Sequence, residues 1–119
     1  MKKILIVEDN LDLHEMLRIA FTLEGFETQS GFSGTEALEC LQSFIPDIIF
    51  LDIMMPHMDG YQFLQVIASR GKRPFRIVAY SNLERPKDIT NARNLGVDLF
   101  LKKSDYAPME LVQQIKKLL

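Results

Sequence analysis

Short apolar runs alternate with helix-like patterns five times along this sequence. The predicted strands lie at residues 4–7, 26–29, 48–51, 77–80 and 99–101. The predicted helices begin near Leu13, Ser33, Phe63, Pro86 and Pro108 and end near Gly25, Pro46, Gly71, Leu95 and Leu119. Because helical crossovers join parallel strands, this alternation predicts one α/β domain over residues 1–119, with a parallel sheet covered by helices on both faces.

The apolar positions indicate which side of each predicted helix faces the sheet. In the first helix they recur at helical spacing at Leu13, Met16, Leu17, Ala20 and Phe21. In the last helix one side carries Met109, Val112, Ile115 and Leu119. The stretch 86–95 has a poor apolar stripe, so we expect a weakly packed and mobile helix there.

Two of the predicted strands end in acidic side chains. Residues 4–7 are followed by Glu8 and Asp9, and residues 48–51 are followed by Asp52. In an open parallel sheet of the doubly wound order 2-1-3-4-5, the ligand crevice lies outside the carboxyl ends of strands one and three. Three carboxylates there repel one another unless a cation neutralises them, and carboxylate oxygens suit Mg²⁺. The sequence therefore predicts a divalent-cation site that receives an anionic substrate group.

Two further polar residues, Ser81 and Lys103, lie at or just after the ends of the fourth and fifth predicted strands. A carboxylate such as Asp52 can accept a phosphoryl group when a metal, an ammonium and a hydroxyl offset the charge on the phosphoryl oxygens. Singly, the lysine is typical of a solvated charge and the serine of a turn. Their joint placement beside the acids is what favours phosphoryl chemistry.

The composition is typical of a soluble globular protein. The 119 residues are 47% hydrophobic and 25% charged, and no apolar run approaches the roughly 20 residues of a membrane span. The apolar stretch after Lys3 is too short for a signal peptide, so we expect the protein in the cytoplasm. The single cysteine, Cys40, excludes an internal disulfide, and we expect it on a helix near the core.

The charges are distributed unevenly along the chain. Residues 1–69 carry 3 basic and 11 acidic side chains, whereas residues 70–119 carry 11 basic and 5 acidic ones. The basic residues are spread out without aromatic residues between them. This pattern favours solvated helix faces over a nucleic-acid groove.

Taken together, these residues resemble the receiver domain of two-component response regulators, including the single-domain chemotaxis regulators, over the whole chain. The resemblance rests on the acid pair Glu8 and Asp9, the loop 52–60, Ser81 after the fourth strand, and the segment 96–103 that ends in Lys103. It implies a flavodoxin-like fold, with a doubly wound five-stranded parallel sheet of order 2-1-3-4-5 and five helices.

The resemblance also implies a role for each site residue. Asp52 would be the phosphoacceptor, assisted by Lys103 and Ser81. The implied ligands of Mg²⁺, or of Mn²⁺ in its place, are Asp9, Asp52, the backbone carbonyl of Met54 and, through a water, Glu8.

A switch and a set of partners are implied as well. Phosphorylation would draw Ser81 and then Phe100 inward and change what binds the surface of helix four, strand five and helix five. The phosphoryl donor would be a histidine kinase or a histidine phosphotransfer protein. The signal would pass to a downstream protein or to an output domain absent from this chain, which ends with the fifth helix. We expect no turnover enzyme, no membrane contact, no direct nucleic acid binding, and at most a weak homodimer.

Some positions depart from the family's pattern. Ser104 follows Lys103 where the family usually has a proline after a cis peptide, and we expect a trans bond because a non-proline cis bond costs about 2.5 to 4 kcal/mol. Asn82 replaces a small residue and would either narrow phosphoryl access or add a hydrogen bond. Met54 and Leu83 offer no side-chain group to orient a hydrolytic water, so we expect a long-lived phosphoryl group.

Other functional classes fit the sequence less well. A nucleotide binder of similar fold would need glycines or hydroxyls in its first loop, whereas Glu8 and Asp9 repel a phosphate unless a metal is bound. A phosphatase with an aspartyl intermediate would normally need a cap to activate water. The alternative that stays open is a receiver that binds its partner constitutively, whatever its phosphoryl state. His14 and His57 lack a second metal ligand at suitable spacing, and we expect both at the surface.

Overall fold

The computed structural model describes residues 2–53, 60–81 and 86–119. The strands in these ranges are β1 (Lys3–Val7), β2 (Glu27–Gly31), β3 (Ile48–Asp52), β4 (Arg76–Ser81) and β5 (Leu99–Lys102). The α-helices are α1 (Leu11–Leu23), α2 (Gly34–Cys40), α3 (Gly60–Ser69), α4 (Pro86–Asn94) and α5 (Pro108–Lys116), and a 3₁₀ turn (Lys103–Asp105) follows β5. The predicted alternation is confirmed, with boundaries shifted by a few residues.

All five strands are parallel, in the order β2-β1-β3-β4-β5. The chain moves from β1 to one edge and then crosses back to β3, so strand order reverses beside β1. Val7 pairs with Leu51, and Asp52 pairs with Tyr80. The predicted doubly wound α/β fold is therefore confirmed, and the carboxyl ends of β1, β3 and β4 lie side by side.

Alternate strand residues supply two separate cores, one on each face of the sheet. On one face Ile6, Phe50 and Tyr80 pack against Phe21 of α1 and Val112 of α5. On the other face, α2, α3 and α4 cover the remaining strand residues, contributing the buried side chains of Ala37, Phe63, Leu64, Ile67 and Ala92. Cys40, at the end of α2, packs against this second core, as predicted.

The helix faces differ from the prediction at three methionine and leucine positions. Met16 is 53% exposed, Met109 is 44% exposed and Leu119 is 48% exposed. In α1 the buried stripe runs through His14, Leu17, Ala20 and Phe21, and position 16 lies beside this stripe because each helical residue turns by about 100°. In α5 the buried residues are Leu111, Val112 and Ile115.

Helix α4 is the most polar of the helices, and Ala92 is its one buried residue among those that the structure describes. Its weak apolar stripe agrees with the sequence pattern, and its mobility stays a prediction. No helix in the described ranges combines the length and the apolar character needed to cross a membrane.

Candidate functional site

The two-residue periodicity of the strands places the site residues in one row across the sheet tips. Glu8 continues the alternation of Ile4 and Ile6, and Asp52 continues that of Ile48 and Phe50. Since Val7 pairs with Leu51 and Asp52 with Tyr80, the side chains of Glu8, Asp52 and Tyr80 all lie on the α1/α5 side. The sheet register thus brings two carboxylates and a phenol together.

The three predicted acids form one cluster. One carboxylate oxygen from each of Glu8, Asp9 and Asp52 lies within 4.8 Å of the other two. Glu8 is fully buried, Asp52 is 2% exposed, and Asp9 is partly exposed. Burial and the neighbouring Glu8 carboxylate hold the pKa of Asp9 above its ordinary value. This crowding of negative charge is what a bound cation would relieve, so the donor set fits Mg²⁺.

Lys103 bridges two of these acids. Its Nζ lies 3.0 Å from Oε1 of Glu8 and 3.3 Å from Oδ2 of Asp52. Burial alone would lower the pKa of Lys103, but the two carboxylates outweigh it and hold the pKa above its ordinary value. Peptide bonds in the described ranges are trans, including the one to Ser104, as predicted. The ammonium therefore reaches Asp52 without the family's proline.

Among the described residues, three donors contact the Glu8 carboxylate. Its Oε1 accepts a hydrogen bond from the Tyr80 hydroxyl as well as the contact from Lys103, and its Oε2 accepts one from the Asn10 N–H at 3.2 Å. Burial would raise the pKa of Glu8, but these hydrogen bonds outweigh it, and the pKa lies below its ordinary value. Glu8 is therefore ionised and fixed in place.

Sequence reasoning missed Tyr80. Its ring lies in the core at 4.3 Å from the Phe50 ring, and burial together with the Glu8 charge raises the pKa of its hydroxyl. A tyrosine within an apolar strand usually packs in the core, so the residue type gives no sign that its hydroxyl takes part in a site. The available signal was its position, because Tyr80 alternates with Val78 and comes just before Ser81 at the strand tip.

The predicted surface position of His14 is wrong. Its side chain is 2% exposed, and its ring stacks on Phe32 at 4.3 Å. Nδ1 lies 2.9 Å from the Glu8 carbonyl and so donates to it, while Nε2 lies 2.7 Å from the Ser30 hydroxyl, within hydrogen-bond distance. His14 lies three residues before Leu17 and seven before Phe21, a helical spacing that marks the buried stripe. It ties the loop that carries Glu8 to β2.

The loops around the cluster are shaped by two local features. Asn10 caps α1, because its side chain accepts the Leu13 N–H at 2.9 Å, and this fixes the turn after Glu8 and Asp9. Gly60 donates its N–H to the Ile53 carbonyl at 2.8 Å. A Cβ at Gly60 would lie 2.4 Å from the Cα of Ile53, so only glycine fits this return to the end of β3.

The two predicted switch residues lie on neighbouring strands. Ser81 ends β4 and is 1% exposed, and Phe100 of β5 is partly buried against the core under α2, α3 and α4. Ala79 pairs with Phe100 across the two strands. Four positions with sequence predictions lie outside the described residues: Met54, His57, Asn82 and Leu83. The expected metal ligand at the Met54 carbonyl, the surface position of His57, the effect of Asn82 and the long phosphoryl lifetime expected from Met54 and Leu83 therefore stay predictions.

Comparison with curated proteins finds relatives that are response regulators. The chain is 34% identical over 119 residues to the response regulator SaeR of Staphylococcus aureus, covering all of this chain and 51% of that protein. It is 32% identical over 115 residues to the DNA-binding response regulator MtrA of Mycobacterium tuberculosis, covering 97% of this chain and 49% of MtrA. The chain thus spans about half the length of the curated relatives it matches.

Solved structures with the same fold include signalling proteins. Chemotaxis protein CheY4 of Vibrio cholerae superposes with a TM-score of 0.90 at 25% identity, covering 100% of this chain and 99% of that one. A two-component response regulator from Clostridium difficile gives a TM-score of 0.89 at 25% identity, covering 99% and 95%. The family model of the response regulator receiver domain matches residues 4–116. With the acid cluster and its lysine on the same sheet edge, the chain belongs to the response regulator receiver domain family.

Proposed function

We propose that this chain is a phosphorylation-dependent switch that accepts a phosphoryl group on Asp52 from a histidine kinase or a histidine phosphotransfer protein. The observation that carries the proposal is the contact of Lys103 with Asp52 at 3.3 Å, beside the clustered acids. Asp52 is a nucleophile with an adjacent ammonium at the carboxyl end of a buried central strand.

The transfer would proceed by attack of an Asp52 carboxylate oxygen on phosphorus. The new P–O bond forms as the P–N bond to the donor histidine breaks, and the electron pair stays on the imidazole. Lys103 and Ser81 would stabilise negative charge on the phosphoryl oxygens. Mg²⁺, or Mn²⁺ in its place, would be held by Asp9, Asp52, the Met54 carbonyl and, through water, Glu8, and when bound would offset the charge of the acids and the phosphoryl group.

The modification would then alter a binding surface. It adds negative charge beside Ser81, and Phe100 lies two strand positions before Lys102, close enough to the same sheet edge to respond. The surface of α4, β5 and α5 would contact a downstream protein, or an output domain, since the curated relatives are about twice as long. We propose no direct nucleic acid contact by this domain and no catalytic turnover beyond its own phosphorylation and slow dephosphorylation. The proposed compartment is the cytoplasm.

Intact mass after incubation with acetyl phosphate at neutral pH tests this proposal. We expect a gain of one phosphoryl group that requires Mg²⁺ and is lost in Asp52→Asn. Asp47→Asn is a matched control because Asp47 lies just before the other end of β3, where its carboxylate accepts the Lys3 N–H at 2.8 Å. This control should gain the group as the wild type does.

Two other outcomes would speak against phosphorylation-dependent switching. A folded wild type that gains no mass with acetyl phosphate or with a phosphorylated histidine donor would contradict the proposal. A partner that binds wild type and Asp52→Asn equally, with and without phosphoryl donor, would support the constitutive binding module.

A further inference from the structure

We infer that Tyr80 is a positioning residue that fixes Lys103 through Glu8, an inference that rests on the proposed phosphoryl transfer to Asp52. The Tyr80 hydroxyl and the Lys103 ammonium bind the same oxygen of Glu8, Oε1. Lys103 lies 3.0 Å from that oxygen and 3.3 Å from Asp52. The Tyr80 hydroxyl therefore acts indirectly, through Glu8, on the Lys103 ammonium that contacts Asp52.

The two oxygens of Glu8 have separate tasks. Oε1 takes the phenol and the ammonium, while Oε2 faces the first loop and accepts the Asn10 N–H at 3.2 Å. Charge-assisted hydrogen bonds of this kind restrict the rotation of a carboxylate strongly. Because the Tyr80 hydroxyl binds Oε1, removal of this hydroxyl should disturb Lys103. The hydrogen bond between Oε2 and the Asn10 N–H should stay in place.

Tyr80 is well suited to positioning because it cannot move easily. The side chain is fully buried and its ring packs on Phe50, with centroids 4.3 Å apart. The Lys103 Nζ also lies 5.0 Å from the centroid of the Tyr80 ring, within the range of a cation–π contact. Tyr80→Phe keeps both ring contacts and removes only the hydroxyl, which isolates its effect.

The inference separates phosphoryl transfer from metal binding. The Tyr80 hydroxyl donates to Oε1 of Glu8, the same oxygen that Lys103 contacts, whereas the direct metal ligands proposed above are Asp9 and Asp52. Because Glu8 would hold the metal only through a water, loss of the hydroxyl should slow transfer at saturating Mg²⁺ far more than it weakens the affinity for Mg²⁺. A general loss of structure would change both quantities and the free energy of unfolding.

Kinetics and calorimetry on Tyr80→Phe provide the test. We expect the rate of phosphorylation by acetyl phosphate at saturating Mg²⁺ to fall about tenfold, the size expected for one hydrogen bond to a charged group. The Mg²⁺ dissociation constant from calorimetry should change by less than about twofold, since the proposed direct ligands keep their contacts. Tyr106→Phe, on the same side of the sheet, should keep the wild-type rate. An unchanged rate in Tyr80→Phe, or an equal change in Mg²⁺ affinity, would overturn the inference.

A second arm asks whether Tyr80 acts through Glu8. Glu8→Asp shortens the acid by one methylene, so its carboxylate no longer reaches both the phenol and the ammonium. In this background Tyr80→Phe should have no further effect on the rate. Additive losses in the double variant would instead show that Tyr80 acts independently of Glu8.

A third readout does not depend on phosphorylation. The lysine ammonium groups can be observed by ¹H–¹⁵N NMR, and the Lys103 signal is assigned by its loss in Lys103→Arg. We expect this signal to be protected from solvent exchange in the wild type and to lose protection in Tyr80→Phe. If the wild type accepts no phosphoryl group, the proposed function fails, yet this exchange still decides whether Tyr80 positions Lys103.

Discussion

The negative charge of Asp9 is unfavourable within the cluster. Its pKa is raised by burial and by Glu8, and the Lys103 ammonium, which favours its ionisation, also contacts Glu8 and Asp52. At neutral pH its negative charge therefore destabilises the folded protein when no cation is bound. The crowded acids thus lower the free energy of unfolding of the metal-free protein, and binding of a cation would offset this loss.

Asp9→Asn should consequently raise the free energy of unfolding in a metal-free buffer, because it removes one of three crowded charges. Addition of Mg²⁺ should reverse the order. The wild type should gain about 1.4 kcal/mol at a Mg²⁺ concentration ten times its dissociation constant, and the variant much less. Urea unfolding in EDTA and in Mg²⁺ measures both effects. Asp12→Asn, on the first turn of α1, is the control and should show no such reversal. Equal Mg²⁺ stabilisation of wild type and Asp9→Asn would remove Asp9 from the proposed ligand set.

Site residues differ in how easily they can be recognised from the sequence. Asp52 and Lys103 could be found because a charge directly after an apolar strand contrasts with its neighbours. For Tyr80 and His14 the spacing indicates burial but not chemistry, because their polar atoms find their partners only in the folded chain. Chemistry that depends on one atom of a mostly apolar side chain needs the register of the sheet before it can be recognised.

At the scale of elements, α4 combines a weak apolar stripe with a polar connection to α3. Ala92 is its buried residue in the described part of the chain, and the Tyr61 hydroxyl donates to the Asp88 carbonyl at 3.0 Å. This bond joins the first turn of α4 to α3. Since α4 belongs to the proposed switch surface, a polar tether here sets how readily the helix opens.

Tyr61→Phe should loosen α4 selectively. Hydrogen exchange of the α4 amides should accelerate several-fold, while the global free energy of unfolding falls by about 1 kcal/mol or less, because one partly buried hydrogen bond is lost. Hydrogen exchange read out by mass spectrometry or NMR measures this. Tyr106→Phe is the control because Tyr106 packs on the opposite face of the sheet. Exchange that is equally accelerated in α1 and α5 would contradict a local tether.

The elements themselves were mostly predictable, for physical reasons. The central strand β3 is buried on both faces because helices cover both, which makes its apolar run conspicuous in the sequence, whereas the edge strand β2 is mostly polar. Element ends were less predictable. The α-helix α2 ends at Cys40, and the apolar residues Leu41 and Phe44 pack on the core from the hydrogen-bonded turns that follow it. Periodicity indicates what is buried and does not by itself indicate where the helical hydrogen bonds stop.

For the whole molecule, the lowered pKa of Glu8 connects stability to acidity. A carboxyl whose pKa is lower in the folded state than the ordinary 4.5 stabilises the fold above that value. This contribution is lost as the pH falls through the lowered folded-state pKa, because the unfolded chain takes up the proton first. Asp9 acts in the opposite sense, since its pKa is raised.

Glu8→Gln should therefore flatten the acid side of the stability profile. We expect its free energy of unfolding to fall less steeply than that of the wild type as the pH drops below about 4.5, although the variant is less stable at pH 7 through loss of the Lys103 contact. Urea unfolding at a series of pH values provides the measurement. Glu39→Gln, an exposed position on α2, should keep the wild-type profile. A variant profile parallel to that of the wild type would assign the acid sensitivity to other groups.

The contact of Glu8 with Lys103 also sets an order of assembly. Glu8 follows the first strand and Lys103 follows the fifth, so a growing chain carries the acids of β1 and β3 long before the ammonium that neutralises them. Burying Glu8 in a partly made sheet would leave its charge without the ammonium of Lys103, at a cost of several kcal/mol. We therefore expect the acidic edge to stay hydrated during folding until the segment that carries Lys103 has joined the sheet. The end of β1 can thus become fully buried only after β5 has joined the sheet.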